Sequence, residues 1–396
     1  MAAASISRWA RRYLVVGVGF LVLSQGAALA PLSHPRIPVV LGLLGFVCVV
    51  AFGKAYSLVP SYFDRQLAWP AAPALHLPLA TVGVAALALA PVAGTPTAPL
   101  ADLGAVAWAA GVAVFLGALV ATLRDNPLGR ETGTSDANAD RRRTDRLANA
   151  FMPVALAYLG VGTYELLAGT VGLPTLLGGT WVRVAHLLAA GFAATLVFSV
   201  GFRLLPRFLV VDSPRRLPFL VLPAGAAGPA LIAAGLYSGP VFVAGAVLEA
   251  VAVGGFALAY ASMFRRSDRR RVGFWGPLAG VAAGVLGVGL GLQFAVDALQ
   301  ADLAVLHRRL NVFGFLGLTV VGLLYQLYPP AVGNWPGAGD RLALATIGTM
   351  ATGVLLAGLG PVLTPTVGTA GHLLVALAAI GVGYLLLATM AHHGGP

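Results

Sequence analysis

The sequence predicts an all-α polytopic membrane protein with twelve transmembrane helices in a pseudo-threefold arrangement of three four-helix arcs. Composition, the spacing of apolar runs and an internal repeat lead to this fold class. Hydrophobic residues make up 58% of the 396 residues, charged residues 10%, and the mean hydropathy is +0.87. A soluble globular domain carries about 25% charged residues. The composition therefore excludes a soluble enzyme and, despite a net charge of +11, a nucleic-acid partner.

Twelve apolar segments are long enough to cross a bilayer, which takes about 20 helical residues. Glycine is abundant inside them, and small residues let membrane helices approach closely. Gly280 and Gly284 form one such pair, four residues apart on one predicted helix face. The predicted spans are, in chain order, about 12–31, 38–60, 76–94, 103–123, 150–172, 182–204, 217–237, 240–263, 273–296, 303–328, 342–361 and 369–391.

The arginine positions predict the orientation. With a cytoplasmic N-terminus, 20 arginines fall at the cytoplasmic side and four at the outer side, namely Arg36, Arg183, Arg308 and Arg309. Cytoplasmic loops are enriched in positive residues. We therefore expect a multi-pass protein of the inner (cytoplasmic) membrane, embedded in the lipid bilayer, with both termini cytoplasmic. The polar stretch 124–149 is predicted to be a flexible cytoplasmic linker.

Three segments share one pattern, which falls on predicted helices 2, 6 and 10. Each opens with Gly-Phe, has an aromatic residue eleven positions on, and closes with leucine two residues before a proline. The pattern predicts a single membrane domain, 1–396, built from three parallel repeats of about 1–123, 150–264 and 273–396. The segments read GFVCVVAFGKAYSLVP from Gly45 to Pro60, GFAATLVFSVGFRLLP from Gly191 to Pro206, and GFLGLTVVGLLYQLYP from Gly314 to Pro329.

Histidines precede two of these repeats, at His186 in AHLLAAGF and at His307 in LHRRLNVFGF. With the helix count and the repeat, these stretches resemble the haem-copper oxidase subunit I superfamily. That superfamily includes nitric-oxide reductases and the haem- and copper-containing membrane proteins linked to nitric-oxide tolerance. The resemblance implies a b-type haem, with copper as a further candidate, near the outer face. It also implies electron transfer, quinol oxidation, or handling of nitric oxide or oxygen, with respiratory-chain subunits or quinol as partners.

The chain departs from the family pattern at several metal ligands. Predicted helix 2 has Pro38 and Val40 where the oxidases place a haem-ligating histidine, and predicted helix 7 has no histidine for copper. We therefore expect one or two metal or haem sites in place of a complete oxygen-reducing centre.

The candidate histidine ligands lie near the predicted outer ends of helices 2, 6, 10 and 12. Imidazole is a common ligand for haem and transition metals. We assign His186, His307 and His372 as cofactor-binding candidates, together with Arg308 for haem carboxylates, and His186, His307 and His34 as metal-ligand candidates. The alternative for each histidine is that it anchors a helix end at the headgroups.

Two carboxylates fall within predicted spans, Glu165 and Glu249. Ionisable residues at membrane depth are costly and mark proton relays or transport sites. Both are proton-relay candidates, and the alternative is a neutral side chain bonded to a neighbouring helix. Two further functions stay open: a metal-free scaffold or assembly partner of a respiratory complex, and a proton-coupled secondary transporter that uses Glu249.

Overall fold

The computed structural model describes residues 2–30, 34–92, 97–237 and 239–392. Within these ranges the regular structure is helical, and twelve helices are long and apolar enough to cross a membrane. The all-α, polytopic fold class is therefore confirmed. The twelve helices, α1 to α12, are Ile6–Leu29, Ile37–Tyr62, Ala72–Val92, Pro99–Leu123, Asp136–Val171, Trp181–Leu209, Leu217–Gly235, Gly239–Arg266, Val272–Val296, Ala301–Leu327, Asp340–Leu359 and Pro365–Ala391.

Helix α5 begins earlier than its hydropathy predicts. Its first turns are a 3-10 turn over Asp136–Arg141 and the polar start of the α-helix Arg142–Val171. These residues carry several arginines and aspartates, so hydropathy places the start of the span near 150. The helix therefore extends beyond the apolar segment, and the predicted linker 124–149 contains its beginning.

Helices α2, α6 and α10 form the centre of the molecule. Their most apolar windows are 89%, 67% and 78% buried, against 22–50% for the other nine helices described. All three contact one another. Around them α3 pairs with α4, α7 with α8, and α11 with α12, while α4 contacts α5, α8 contacts α9, and α12 contacts α1. The contacts thus recur every four helices.

Each central helix contains a π-helical segment at its Gly-Phe motif. The segments are Val40–Cys48, Leu187–Ala194 and Leu310–Leu318. The π segments of α2, α6 and α10 contact one another at the middle of the bundle. π-helix is rare and often lies at functional sites. The repeat prolines have no single position: Pro60 and Pro206 lie inside the last turn of their helices, whereas Pro329 follows the end of α10.

The two ends of the bundle differ in charge. Short connections join consecutive helices, which therefore alternate in direction. We call the end where even-numbered helices begin the histidine end, because His34, His186, His307 and His372 lie there. We call the opposite end, with most of the arginines, the arginine-rich end.

The segment between α4 and α5 is held in place, which corrects the expectation of a flexible linker. Asn126 Nδ2 donates to the Phe63 carbonyl at 3.1 Å, and the Gly133 N–H donates to the Tyr62 carbonyl at 3.3 Å. Asn149 Nδ2 also donates to the Tyr62 carbonyl, at 2.9 Å. The linker therefore joins the ends of α2, α4 and α5.

A buried ionic cluster fixes the arginine-rich ends of α5 and α6. The Asp145 carboxylate, 1% exposed, accepts from Arg207 Nη2 at 2.7 Å and from the hydroxyl of Thr134. Arg203 Nη1 donates to Asn149 Oδ1 at 2.7 Å. Removing one charged side chain from such a cluster strongly destabilises a protein, because the opposite charges that remain buried lose their partner.

Candidate cofactor site

A cavity of about 260 Å³ lies at the histidine end, among α6, α7, α8, α9 and α10 and the start of α2. Its wall is mostly aliphatic and aromatic. Apolar cavities with a few convergent polar groups are typical of ligand and cofactor sites. The volume of this one lies just below their usual range of about 300–1,000 Å³. Besides Trp181 and Tyr237, the polar side chains among the described residues of the wall are those of His186, Glu249, His307, Arg308 and Asn311.

His186 and His307 both line this cavity, and their rings lie close together. Their ring centres are 6.3 Å apart, and the ring planes are inclined by 30°. His186 lies in the first turns of α6 and His307 in the first turns of α10. The structure thus brings together, at one cavity, the two histidines that precede the repeat segments.

Backbone carbonyls fix the tautomer of both rings. His186 Nδ1 is 2.8 Å from the Val182 carbonyl oxygen, and His307 Nδ1 is 2.8 Å from the Gly287 carbonyl oxygen. Because a carbonyl only accepts, each Nδ1 carries the proton in a neutral ring. Each Nε2 then presents a lone pair, and none of the residues that the structure describes donates to it. A histidine whose other nitrogen is bound to a carbonyl is the usual arrangement at metal sites.

A glycine face on α9 lets α10 approach and positions His307. A Cβ atom added to any of these glycines would lie 2.6–3.1 Å from an α10 atom, closer than ordinary contact. Gly280 and Gly284, the pair noted in the sequence, belong to this face. The glycines and the residues opposite them are Gly276 and Gly322, Gly280 and Thr319, Gly284 and Phe315, Gly287 and Asn311, and Gly291 and His307.

Asn311 lies one turn beyond His307 in α10. Its Nδ2 donates to the His307 carbonyl at 2.8 Å. The same Nδ2 is 3.4 Å from His307 Nδ1, but both nitrogens are donors once Nδ1 is protonated, so this contact is no hydrogen bond. Asn311 therefore braces the first turns of α10 beside the histidine.

Glu249 of α8 reaches the same cavity. It is 6% exposed, and its Oε1 is a buried atom without a hydrogen-bond partner. Gly228 of α7 makes room for it, because a Cβ there would lie 2.8 Å from Glu249 Oε1. The structure thus places this proton-relay candidate in the wall that also holds the two histidines.

Glu165, the other proton-relay candidate, has different surroundings. Its carboxylate accepts three backbone N–H groups, from Leu176 at 2.6 Å, Leu177 at 3.1 Å and Gly179 at 2.9 Å. It does not line the cavity. The three bonds order the connection between α5 and α6, which is the alternative to a relay, and the relay assignment of Glu165 stays a prediction. The sequence alone does not reveal this role, because the three donors lie 11 to 14 residues after Glu165 and meet its carboxylate only when the chain turns back.

His372 and His34 do not join the pair, contrary to their assignment as ligands beside it. His372 of α12 lies behind α10, where its Nε2 is 3.1 Å from Arg309 Nη2. His34 precedes α2, and its Nδ1 accepts the backbone N–H of Arg36 at 3.2 Å. Neither residue lines the cavity of His186 and His307. In the described part of the chain, no group of three or more His, Cys, Asp or Glu side chains could hold a metal ion.

Arg308 reaches the cavity, and it also lines a second one on the other side of α10. It is half-buried, and it takes part in no ion pair among the residues described. The next residue, Arg309, was not singled out from the sequence as a site residue. An arginine doublet in the first turns of an apolar helix was the signal that could have marked it.

His76, near the start of α3, is buried inside the bundle. The side chain is 0% exposed, with its Nδ1 3.1 Å from the Tyr56 hydroxyl. Phe52, Phe115 and Tyr13 surround the ring. His76 therefore belongs to the core of the first four helices.

Comparison with known proteins adds no family to this picture. No family model and no curated protein matches the chain. The functional interpretation therefore rests on the geometry of the paired histidines.

Proposed function

We propose that this membrane protein is an electron-transfer protein that binds a b-type haem between His186 and His307. The single observation that carries the proposal is the pair itself. Two imidazoles with ring centres 6.3 Å apart line one apolar cavity, each with Nδ1 bound to a carbonyl and with no described donor at Nε2.

The number of donors favours haem over a bare ion. Structural zinc sites take four protein ligands, whereas the described residues offer two at this cavity. A haem supplies four ring nitrogens and needs one or two axial ligands from the protein. Two opposed imidazoles bound at about 2.0–2.1 Å to one metal have ring centres about 6 Å apart. The observed 6.3 Å fits that arrangement.

The chain's own groups have separate tasks in this proposal. The Val182 and Gly287 carbonyls hold the imidazole rings in orientation and keep Nδ1 protonated. The aliphatic and aromatic wall excludes water, and Arg308 supplies a positive charge for the carboxylates of the group. Haem supplies one-electron exchange. Because both histidines would serve as ligands, electron transfer is favoured over the binding of oxygen or nitric oxide, with quinol or a respiratory-chain subunit as donor.

Copper is the second cofactor that the pair could take. Imidazole suits copper as well as iron. With two protein ligands, a copper ion would keep open positions for a small molecule, which would favour nitric-oxide or oxygen handling. Metal analysis separates these two cases.

The test compares histidine variants of detergent-purified protein. His186→Ala and His307→Ala should each lose at least half of the haem absorbance, and added imidazole should restore part of it by filling the space left in the wall. His372→Ala is the matched control and should keep the spectrum. A haem spectrum that is unchanged in both His186→Ala and His307→Ala would refute the assignment of these histidines as ligands. Folded protein without haem or metal would favour a scaffold or assembly partner.

Glu249 supports one further candidate, proton-coupled transport. Its carboxylate is buried, lines the cavity and lacks a partner at Oε1. Intramembrane carboxylates are frequent proton-coupling sites. The test measures uptake of a solute into proteoliposomes, driven by a proton gradient. Uptake that is lost in the Glu249→Gln variant and retained in the Glu165→Gln variant would establish transport. Absence of any uptake in the wild type would reject it.

A further inference from the structure

A second cavity, of about 420 Å³, lies on the opposite side of α10 from the histidine pair. It is lined by the end of α1, the start of α2, α10, the end of α11 and the start of α12. Its charged or titratable side chains are Arg308, Arg309 and His372. The rest of its wall is mainly apolar, including Val39, Val305 and Phe313.

Arg309 is buried in this wall without a compensating charge. The residue is 6% exposed, and its Nε and Nη1 atoms have no hydrogen-bond partner. Its Nη2 is 3.1 Å from His372 Nε2, and its guanidinium lies 5.7 Å from the Phe313 ring centre. Buried charges in proteins are normally paired and hydrogen-bonded. Two of the three guanidinium nitrogens therefore lack a hydrogen-bond partner.

His372 adds another donor to the same cavity. Arginine can only donate, so His372 Nε2 must accept from Arg309, and the neutral ring then carries its proton on Nδ1. This Nδ1 is buried and has no partner. The titratable groups that face the cavity from α10 and α12 are thus all donors.

No carboxylate among the described residues of the wall balances these charges. The described residues that line the cavity include neither Asp nor Glu. Among the ion pairs of the described residues, none involves Arg308 or Arg309. Two guanidinium groups and an N–H therefore converge on a space whose wall offers no negative charge, which is the chemistry of an anion site.

We propose that this second cavity binds a phosphate oxyanion. The site lies at the starts of α2, α10 and α12, the depth at which lipid headgroups meet the ends of membrane helices. Arginine recognises phosphate through several parallel hydrogen bonds. The apolar part of the wall suits the glycerol and first carbons of an anionic phospholipid, and the charged part suits free phosphate equally. Arg308 lines both cavities and is shared with the proposed haem site, whereas Arg309 and His372 line only this second cavity.

Binding is measured as the rise in melting temperature of purified protein at constant ionic strength, with chloride replaced stepwise. One arm titrates inorganic phosphate and the other dihexanoyl phosphatidylglycerol. Apparent affinity at least tenfold higher for the phospholipid identifies a headgroup, and saturation by phosphate alone at equal affinity identifies a free anion. No rise with either ligand would overturn the proposal.

Variants locate the binding. Arg308→Gln and His372→Gln should each weaken the apparent affinity at least threefold, and Arg309→Gln at least tenfold. Arg183→Gln is the matched control, because Arg183 lies at the same end but donates to the Ala233 carbonyl and lines neither cavity. Equal loss in Arg183→Gln, or no loss in the three cavity variants, would assign the binding to another surface.

The sign of a stability change gives a second test. In buffer without phosphate or phospholipid, Arg309→Met should melt at a higher temperature than the wild type, because it removes an uncompensated buried charge and keeps the volume. At saturating ligand the order should reverse. A variant that melts below the wild type in ligand-free buffer contradicts the proposal.

A last comparison separates this inference from the proposed haem. The titration is repeated on a His186→Ala, His307→Ala double variant. Unchanged affinity supports an independent oxyanion site, whatever the outcome of the haem test. Binding that appears only in the double variant would show that Arg308 and Arg309 serve the haem instead.

Discussion

The glycine face of α9 yields a sharp prediction at Gly287, whose carbonyl accepts the proton of His307 Nδ1 at 2.8 Å. A Cβ atom at Gly287 would lie 2.6 Å from Asn311 Nδ2. Ordinary contact between such atoms is about 3.5 Å. Asn311 is tied to the His307 carbonyl, so Gly287→Ala should move the side chain and the start of α10 away by about 1 Å.

The expected loss of stability follows from three contributions. Overpacking costs about 1–3 kcal/mol, and a displacement that breaks the His307 hydrogen bond removes about 0.5–1.5 kcal/mol. Alanine offsets about 1 kcal/mol through its helix propensity. Gly287→Ala should therefore lower the free energy of unfolding by about 0.5–3.5 kcal/mol, summed from these ranges. It should also shift the haem spectrum, since His307 loses its orienting partner.

Gly289→Ala is the control on the same helix, because its Cβ would meet nothing within 4 Å. The alanine there should be neutral or stabilising by up to about 1 kcal/mol. Both variants are reconstituted in bicelles and unfolded with denaturing detergent, followed by tryptophan fluorescence. Equal stabilities for the two variants would refute the proposed α9–α10 contact.

Three further predictions concern groups away from the histidine pair. Glu165→Gln should lower stability by about 1–3 kcal/mol, because an amide replaces a carboxylate that accepts three N–H groups; a melting temperature equal to that of the exposed control Asp302→Asn would contradict this role. Asp145→Asn should cost about 3–5 kcal/mol by leaving its two arginine partners uncompensated, and detergent unfolding that is unchanged would show that the cluster is not needed. Gly42→Ala should destabilise the protein by about 1–3 kcal/mol, since its Cβ would lie 2.5 Å from a phenylalanine ring of α10. Gly19→Ala is the control, because a Cβ there would meet nothing within 4 Å. A melting temperature that falls no further in Gly42→Ala than in Gly19→Ala would disprove the contact between the central helices α2 and α10.

The sequence predicted the helices well because the bilayer imposes length and hydropathy on each of them. Each predicted span coincides with one of the helices described. Prediction from the sequence failed where polar residues extend a helix beyond its apolar segment, as at Arg142. It also failed where long-range hydrogen bonds order a polar segment, as the bonds of Asn126 do. The π segments leave no trace in composition, because they differ from α-helix only in hydrogen-bond register.

The candidate site was predictable only in part. The repeat placed His186 and His307 at related positions, and the structure sets them on one cavity. The predicted depth of a residue in the membrane does not indicate on which side of α10 its side chain lies. For that reason His372 was grouped with the pair, although it lies behind the helix. The roles of Glu165 and Arg309 depend on partners brought close by folding, so neither could be read from spacing.

The most direct test of the central claim is a dithionite-reduced minus oxidised absorption spectrum of the purified wild-type protein, with haem and copper quantified on the same sample. The paired histidines predict one b-type haem per chain, with a sharp α band of a six-coordinate iron and no stoichiometric copper. A folded protein that lacks both haem and copper would contradict the redox function.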